Sequence, residues 1–488
     1  MNDLLELTAL ELGAAIRKGE VDCREAVQAS LDVIAAREGE LNAFITVTGA
    51  QALERAGNTR GKGVLSGVPA ALKDNICTRT ALTTCASRML ERFTSPCDAR
   101  VVELLDAAGL VTVGKLNMDE FAMGSTSETS CFGPVRNPWD ISCSPGGSSG
   151  GAAAAVAAGE VWFALGSDTG GSVRQPAACC GVTGIKPTYG SVSRRGLVAY
   201  ASSFDQIGAI CRDAADCAGV LDMICGHDPR DSTSAPGPYG GLLAGLHGDI
   251  RGVRIGLPRQ YFGDGLGDET RAAVLEAARV LGERGAVVEP CSLPVVDCCV
   301  AAYYVIACAE ASSNLARYDG VRCGIGVREA ATMEELCLRS RTRGFGDEVK
   351  RRILLGTFVL SEGHYDAYYN KALAARGEVK RALEELFGRY DLLLTPVMDG
   401  SPPRLGESLG DPAGMYLTDV YTVCANLAGL PAMSVPCGYT RGGLPVGVQL
   451  IGPAFGEGKL LNAAHAFQME TSFHRQHPPC FGKGEGKG

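Results

Sequence analysis

Three short segments bring together side chains able to do chemistry. Residues 67–74 read GVPAALKD, an apolar run that ends on Lys73 with Asp74 beside it. Residues 144–151 read SPGGSSGG, which sets Ser148 and Ser149 between paired glycines. Residues 166–188 read GSDTGGSVRQPAACCGVTGIKPT and place Ser172 directly after Thr169, Gly170 and Gly171. Glycine massed around hydroxyls has three uses: cradling phosphate, forming an oxyanion hole, or letting segments pack tightly. The chain holds 64 glycines in 488 residues, roughly twice the usual share, so the excess needs one of these explanations.

Phosphate binding is the weakest of them. The nearest approach to a P-loop, GLVTVGK at Gly109–Lys115, is followed by Leu116 and lacks the hydroxyl that would hold magnesium. Its LVTV reads as a strand. A Ser-His-Asp hydrolase is the second option, because G-x-S-x-G occurs twice, centred on Ser148 and on Ser149. A nucleophile elbow must follow a core strand, however, and Pro145 is a poor end for one. All six histidines lie at or beyond His227, in unpersuasive contexts. The third option needs no histidine. A lysine can act as base if burial keeps it neutral, and Lys73 closes an apolar run where a solubilising lysine is out of place. The competing reading pairs Lys73 with Asp74.

The 20 cysteines do not spell a zinc or thioredoxin motif, since no two are separated by two residues. No cysteine sits in a G-x-C-x-G turn, and most read as small buried hydrophobes. Cys179 and Cys180 follow Ser172 closely enough to make the site oxidation-sensitive if they are reachable. Net charge is −9, which argues against a chain that grips nucleic acid unaided. Acidic residues stand where a secretory signal needs positive charge, and no run of about 20 predominantly apolar residues stands out, so the expected compartment is the cytoplasm, without a membrane span.

The elements that must hold these segments can be read from periodicity. Capping boxes at Thr8–Glu11 and Asp22–Glu25, with Gly19 and Gly39 as C-caps, predict two helices in the first 40 residues. Strands are expected at Val68–Lys73, Leu110–Gly114, Val253–Leu257, Ala286–Glu289, Leu392–Pro396, Ala432–Pro436 and Val446–Ile451. Helices are expected at Val101–Ala108, Gly151–Ala158 and Asp268–Arg284. Such alternation implies an α/β fold, a largely parallel sheet covered by helices. The expected organisation is an N-terminal helical segment (1–65), a core (66–295), a helix-rich insertion that contributes to the substrate pocket (296–390), a C-terminal part of the core (391–475) and a flexible tail (476–488).

The segments GVPAALKDN, SPGGSSGG and GSDTGGSVRQPAACCGVTGIKPT together resemble the amidase signature family, serine amidases with a Ser–cis-Ser–Lys triad. Lys73, Ser148 and Ser172 lie 75 and 24 residues apart, the spacing that triad requires. The resemblance implies one large domain with a mixed, largely parallel central sheet. It makes Ser172 the nucleophile, Ser148 a relay serine in a cis peptide, and Lys73 the base. Thr169, Gly170, Gly171 and Ser172 can turn successive N–H groups inward as an oxyanion hole.

LNMDEFAMGSTSETS at Leu116–Ser130, YYVIACAEASSNLARYDGVRCG at Tyr303–Gly324 and GFGDEVKRRILLGTF at Gly344–Phe358 resemble a narrower group, the A subunits of glutamyl-tRNA(Gln) amidotransferases. That resemblance implies glutamine as substrate and Tyr303, Arg352, Asp419, Gly124 and Ser125 as its contacts. An arginine fork suits an α-carboxylate, and a buried acid suits an α-ammonium. The ordinary alternative for Arg352 is a solvated face beside Lys350 and Arg351. The resemblance further implies B and C subunits as partners, with Glu-tRNA(Gln) bound mainly by one of those partners. No metal or cofactor is expected in this chain, ATP and Mg being used by the partner. Two other readings stay open: a free-standing amidase for aryl, aliphatic or fatty amides, and a non-catalytic assembly subunit.

Overall fold

Alternating side-chain direction along the strands lets both faces of one sheet carry a core. Ala70 and Leu72 pack into one hydrophobic cluster while Ala71 between them packs into another; Phe163 and Leu165 divide from Ala164 in the same way. The computed structural model describes residues 2–59, 63–327 and 329–481. Most of the expected flexible tail, including GKGEGKG, lies outside the described residues.

The strands are β1 (Phe44–Val47), β2 (Pro69–Lys73), β3 (Val111–Leu116), β4 (Phe163–Asp168), β5 (Thr183–Lys186), β6 (Gln206–Cys211), β7 (Arg254–Pro258), β8 (Val287–Cys291), β9 (Leu392–Pro396), β10 (Ala432–Tyr439) and β11 (Pro445–Ile451). They form one sheet in the order β1-β3-β2-β4-β6-β5-β10-β11-β9-β7-β8. GLVTVGK is strand β3, as its pattern suggests. The sheet is mixed, but "largely parallel" needs correction. Parallel pairing is confined to two blocks, β3-β2-β4 and β8-β7-β9. The centre, from β4 through β6, β5, β10 and β11 to β9, is antiparallel, as is β1 on β3. Helix-strand alternation does not reveal this, because β5 and β6 are joined by a long loop and β10 and β11 by a short turn. Neither connection needs a crossover helix.

At the N-terminus Thr8 and Glu11 close the expected capping box and Gly19 ends the helix Ala9–Lys18 in a left-handed conformation. In the next helix, Cys23–Leu41, the cap bond runs from Arg24 N–H to Asp22, and the chain passes through Gly39 to end at Asn42. A glycine costs a helix only about 1 kcal/mol, and Leu41, wholly buried, rewards the extra turn. Between β8 and β9 the chain builds the helices Val296–Asn314, Met333–Gly344, Asp347–Val359 and Lys371–Phe387, of which the first, third and fourth share a core with β9 and the 423–430 segment. The stretch Val296–Arg317 is long and apolar enough to cross a membrane, contrary to the sequence expectation. It is a core helix by its surroundings: Tyr303, Ile306, Ala307 and Ala311 are buried in that same cluster.

The ends of the first parallel block define one place. Lys73 pairs with Leu116 at the C-terminal ends of β2 and β3, and β4 beside them ends at Asp168. Ligands in α/β sheets bind beyond such carboxyl ends. A buried ion pair ties the loop after β2 to this edge. Lys115 Nζ lies 3.0 Å from Asp74 and donates to Leu82 O and Thr83 Oγ1, while Asp74 also accepts the Thr84 N–H. Removing one partner of such a pair leaves the other unpaired in the interior and costs about 3–5 kcal/mol. Lys115→Met should therefore lower the urea unfolding midpoint markedly, and adding Asp74→Asn should recover part of the loss.

Candidate active site

Asp74 is thus occupied by Lys115, and Lys73 is free of it. Lys73 is wholly buried. Its Nζ lies 2.7 Å from Ser148 Oγ and donates a second bond to Ser167 O at 3.2 Å. The Gly147–Ser148 peptide is cis. Burial pushes the Lys73 ammonium down to about 7, against the pull of the Asp119, Asp168 and Asp205 carboxylates. An amine near that value can take a proton from the Ser148 hydroxyl at ordinary pH.

The serine loops are locked together. Ser149 N–H donates to Ser172 O at 3.1 Å, and Ser148 O accepts from Asp119 N–H at 3.3 Å. The Asp119 carboxylate gathers the following loop by accepting the N–H groups of Ser127, Glu128 and Thr129 and the Thr129 hydroxyl. Gly124 and Gly147 both press on that carboxylate, where a Cβ at either position would collide with it.

The loop from β4 to the helix Arg174–Cys180 carries Ser172, itself buried. Asp168 shapes it. Its carboxylate accepts the Gly171 N–H (2.9 Å) and the Val173 N–H (3.2 Å), and grips Arg174 through Nε and Nη2, both at 3.0 Å. Burial works to raise the Asp168 pKa, but the Arg174 guanidinium overrides it and holds the carboxyl well below the usual range. Arg174 in turn donates to Thr422 O, Gln449 and Asn426. The expected oxyanion loop is thereby refined. The Gly171 amide is taken by Asp168 and so is not free for a substrate oxygen. Gly171 is needed for another reason: its φ is +130°, and a Cβ there would strike Thr422. The Thr169 hydroxyl is anchored on Asp205 at 2.7 Å.

The expected substrate contacts converge from three distant segments. Arg352, on Asp347–Val359, is buried rather than solvated. Its Nε donates to Glu348 (2.8 Å), its Nη1 to the Tyr200 hydroxyl (2.6 Å), and its buried Nη2 has no partner among the described residues. Asp419 accepts from Ser125 Oγ at 3.0 Å and from the Tyr304 hydroxyl at 2.6 Å. Burial pushes its carboxyl up to about 6, with the Tyr304 hydrogen bond and the Arg352 charge acting against it. Tyr303 packs on Tyr304 and Phe204, and its hydroxyl lies where a Gly170 side chain would be. A cleft of about 700 Å³ opens beside these loops, lined by Ser125, Gly146, Gln175, Met398 and Met415 among others.

Several of these residues escaped the sequence. Asp168 and Arg174 sit inside the glycine-rich segment, where an acid and a base six apart were the available signal. Tyr200, Tyr304, Asn426 and Gln449 carry no local signal at all. Cys179 and Cys180 are buried, and burial raises both thiols, which makes them poor targets for oxidation.

A buried lysine bonded to a cis-peptide serine, with a second serine on a glycine-rich loop locked to it, is the equipment of a serine hydrolase acting on amides. The chain belongs to the amidase family, whose model matches residues 25–461. It is 55% identical over 483 residues to the A subunit of the glutamyl-tRNA(Gln) amidotransferase of Moorella thermoacetica, covering 98% of this chain and 99% of the relative. The corresponding A subunit of Agathobacter rectalis is 52% identical over 480 residues, covering 97% and 95%. Among solved structures, the A subunit of the Thermotoga maritima glutamyl-tRNA(Gln) amidotransferase superposes with a TM-score of 0.82 at 42% identity, covering 99% of each chain. A 6-aminohexanoate cyclic dimer hydrolase does so with 0.85 at 28%, covering 98% of this chain and 99% of that one.

The protonation of Lys73 yields a signed prediction. Lys73 is an amine above about 7 and an ammonium below it. Amide hydrolysis (kcat/KM) should therefore fall as pH drops through about 7. A profile flat from pH 8 down to pH 5.5 would remove Lys73 from the role of base.

Proposed function

We propose that the chain is the glutaminase subunit of a tRNA-dependent amidotransferase, hydrolysing glutamine to glutamate and ammonia. The observation that carries this reading is that two opposite buried charges, Arg352 and Asp419, lie against the same tyrosine, Tyr304. A buried arginine offers an Nη2 that has no partner among the described residues, and a buried aspartate accepts the Tyr304 hydroxyl on one oxygen and the Ser125 hydroxyl on the other. A free amino acid brings an α-carboxylate for the first and an α-ammonium for the second. An aryl or aliphatic amide brings neither, and burying an unanswered charge is costly. The relatives' names point the same way.

In the mechanism this supports, Ser172 Oγ attacks the side-chain carbonyl of glutamine. Its proton passes to Ser148 Oγ as the Ser148 proton passes to neutral Lys73. The tetrahedral oxygen receives hydrogen bonds from amides of the 169–172 loop, each worth about 3 kcal/mol in the transition state. Collapse breaks the C–N bond, and the relay run in reverse delivers a proton to the departing amine, releasing ammonia and leaving an acyl ester on Ser172. Water, deprotonated through the same relay, then frees glutamate. Ammonia would pass to a partner that uses ATP and Mg to convert Glu-tRNA(Gln) to Gln-tRNA(Gln), the B and C subunits completing the assembly in the cytoplasm. This chain itself then needs no cofactor.

The decisive experiment is ammonia release from glutamine by the native complex, with and without ATP and Glu-tRNA. Release that rises with both is the expected result; none from intact complex would turn the assignment towards a free-standing amidase. Ser172→Ala and Lys73→Ala should each abolish release without unfolding the protein, and Ser148→Ala should leave only a small residue. Arg352 and Asp419 variants should lose glutamine turnover through KM. The profile of kcat/KM against pH should steepen below about 6, where Asp419 takes up a proton, and Asp419→Asn should remove that second step.

A further inference from the structure

The guanidinium of Arg352 is held more elaborately than an ion pair on a helix requires. Glu348 precedes it by one turn, an ordinary spacing for such a pair, yet both side chains are buried. The same Glu348 oxygen that accepts the Arg352 Nε–H also accepts, at 2.6 Å, the hydroxyl of Tyr416, which lies 68 residues further along the chain. The other Glu348 oxygen is paired with Arg351. Around the guanidinium carbon stand three tyrosine rings, those of Tyr304, Tyr416 and Tyr200, at 5.2, 5.3 and 5.5 Å. Tyr416 packs on Tyr304 with ring centroids 4.2 Å apart and planes tilted by 31°, and Tyr304 bonds Asp419.

A guanidinium has five N–H donors and a fixed plane. The rings confine its carbon, while Glu348 and Tyr200 engage Nε and Nη1 and so set its rotation. Among the described residues, Nη2 is the one guanidinium nitrogen left without a partner. We infer that Glu348 and Tyr416 are positioning residues for substrate recognition: they hold Arg352 so that Nη2 faces the carboxylate of the bound amino acid. This rests on the reading of Arg352 as the carboxylate contact. Tyr416 lies on the short helix Pro412–Thr418, whose Met415 and Thr418 line the cleft. Seating that segment against Glu348 thus completes the carboxylate site and one wall of the entrance with a single hydrogen bond.

The test is steady-state glutaminase kinetics of the full-length chain in its complex. Glu348→Ala should raise KM for glutamine by about 10- to 100-fold, the range expected for one lost charge-assisted hydrogen bond, with kcat within about threefold of the parent. Glu348→Gln, which keeps an acceptor in place, should restore most of the KM. Should Glu348→Ala fail to fold, Tyr416→Phe removes one hydroxyl and should raise KM at least threefold at constant kcat, a smaller loss because the hydrogen bond is neutral on one side. An unchanged KM in Glu348→Ala or Tyr416→Phe, or a glutamine variant no better than the alanine one, would overturn the inference. Arg352→Lys separates it from its premise. If that variant keeps the parental KM, the carboxylate reading fails; if it loses KM while Glu348→Ala does not, only the positioning role fails.

Discussion

Asp168 is the point on which the rest of the site depends, because it is a carboxylate kept ionised in the interior by one arginine. Two backbone amides, the Arg174 fork and the Asn426 amide all end on its two oxygens. Those bonds bend the chain after β4 into the loop that presents Ser172. Arg174 then carries the constraint to Thr422, Asn426 and Gln449, so the Ser172 loop and the segment behind Asp419 are set by the same ion pair. An unpaired charge here would cost several kcal/mol.

Burial has opposite consequences for neighbouring cations. Arg174 has a carboxylate against it, and a guanidinium does not give up its proton inside a protein. Lys73 is buried as deeply but touches only a hydroxyl and a carbonyl, and it falls to about 7. Lys186, at the end of β5, donates to the carbonyls of Pro187 and Leu430 and falls to a similar value. Lys115 is set against Asp74 and serves the fold. A lowered lysine is therefore common to two places in this sheet, and at one of them, Lys73, a serine hydroxyl meets it.

Much of the frame was legible in the chain. The end of the strand at Lys73, the strand at β9 and the first helix with its capping box agree with the expected positions because each depends on local periodicity or a local cap. The antiparallel centre of the sheet was not legible, since pairing direction depends on how long loops return. The second helix ran past Gly39 because tertiary burial of Leu41 outweighed a weak local stop. At the site, motif spacing located the three triad candidates, but the cage around Arg352 and the link from Tyr304 to Asp419 join residues tens to more than a hundred positions apart, and the partner of Gly171 hides in ordinary composition.

What the sequence determined by itself was the chemistry on offer: a lysine closing an apolar strand, two serines among glycines, and a family resemblance that assigns them an amide-cleaving role. Covalent identity and short-range spacing are enough for that. What only the tertiary structure decided was which groups carry charge and which are free to act. Asp74 could have claimed Lys73, and Lys115 takes it instead. Arg352 could have faced water, and three tyrosines and a glutamate enclose it. Protonation and orientation follow from distance and from water exclusion, and those exist only once the distant parts of the chain have packed.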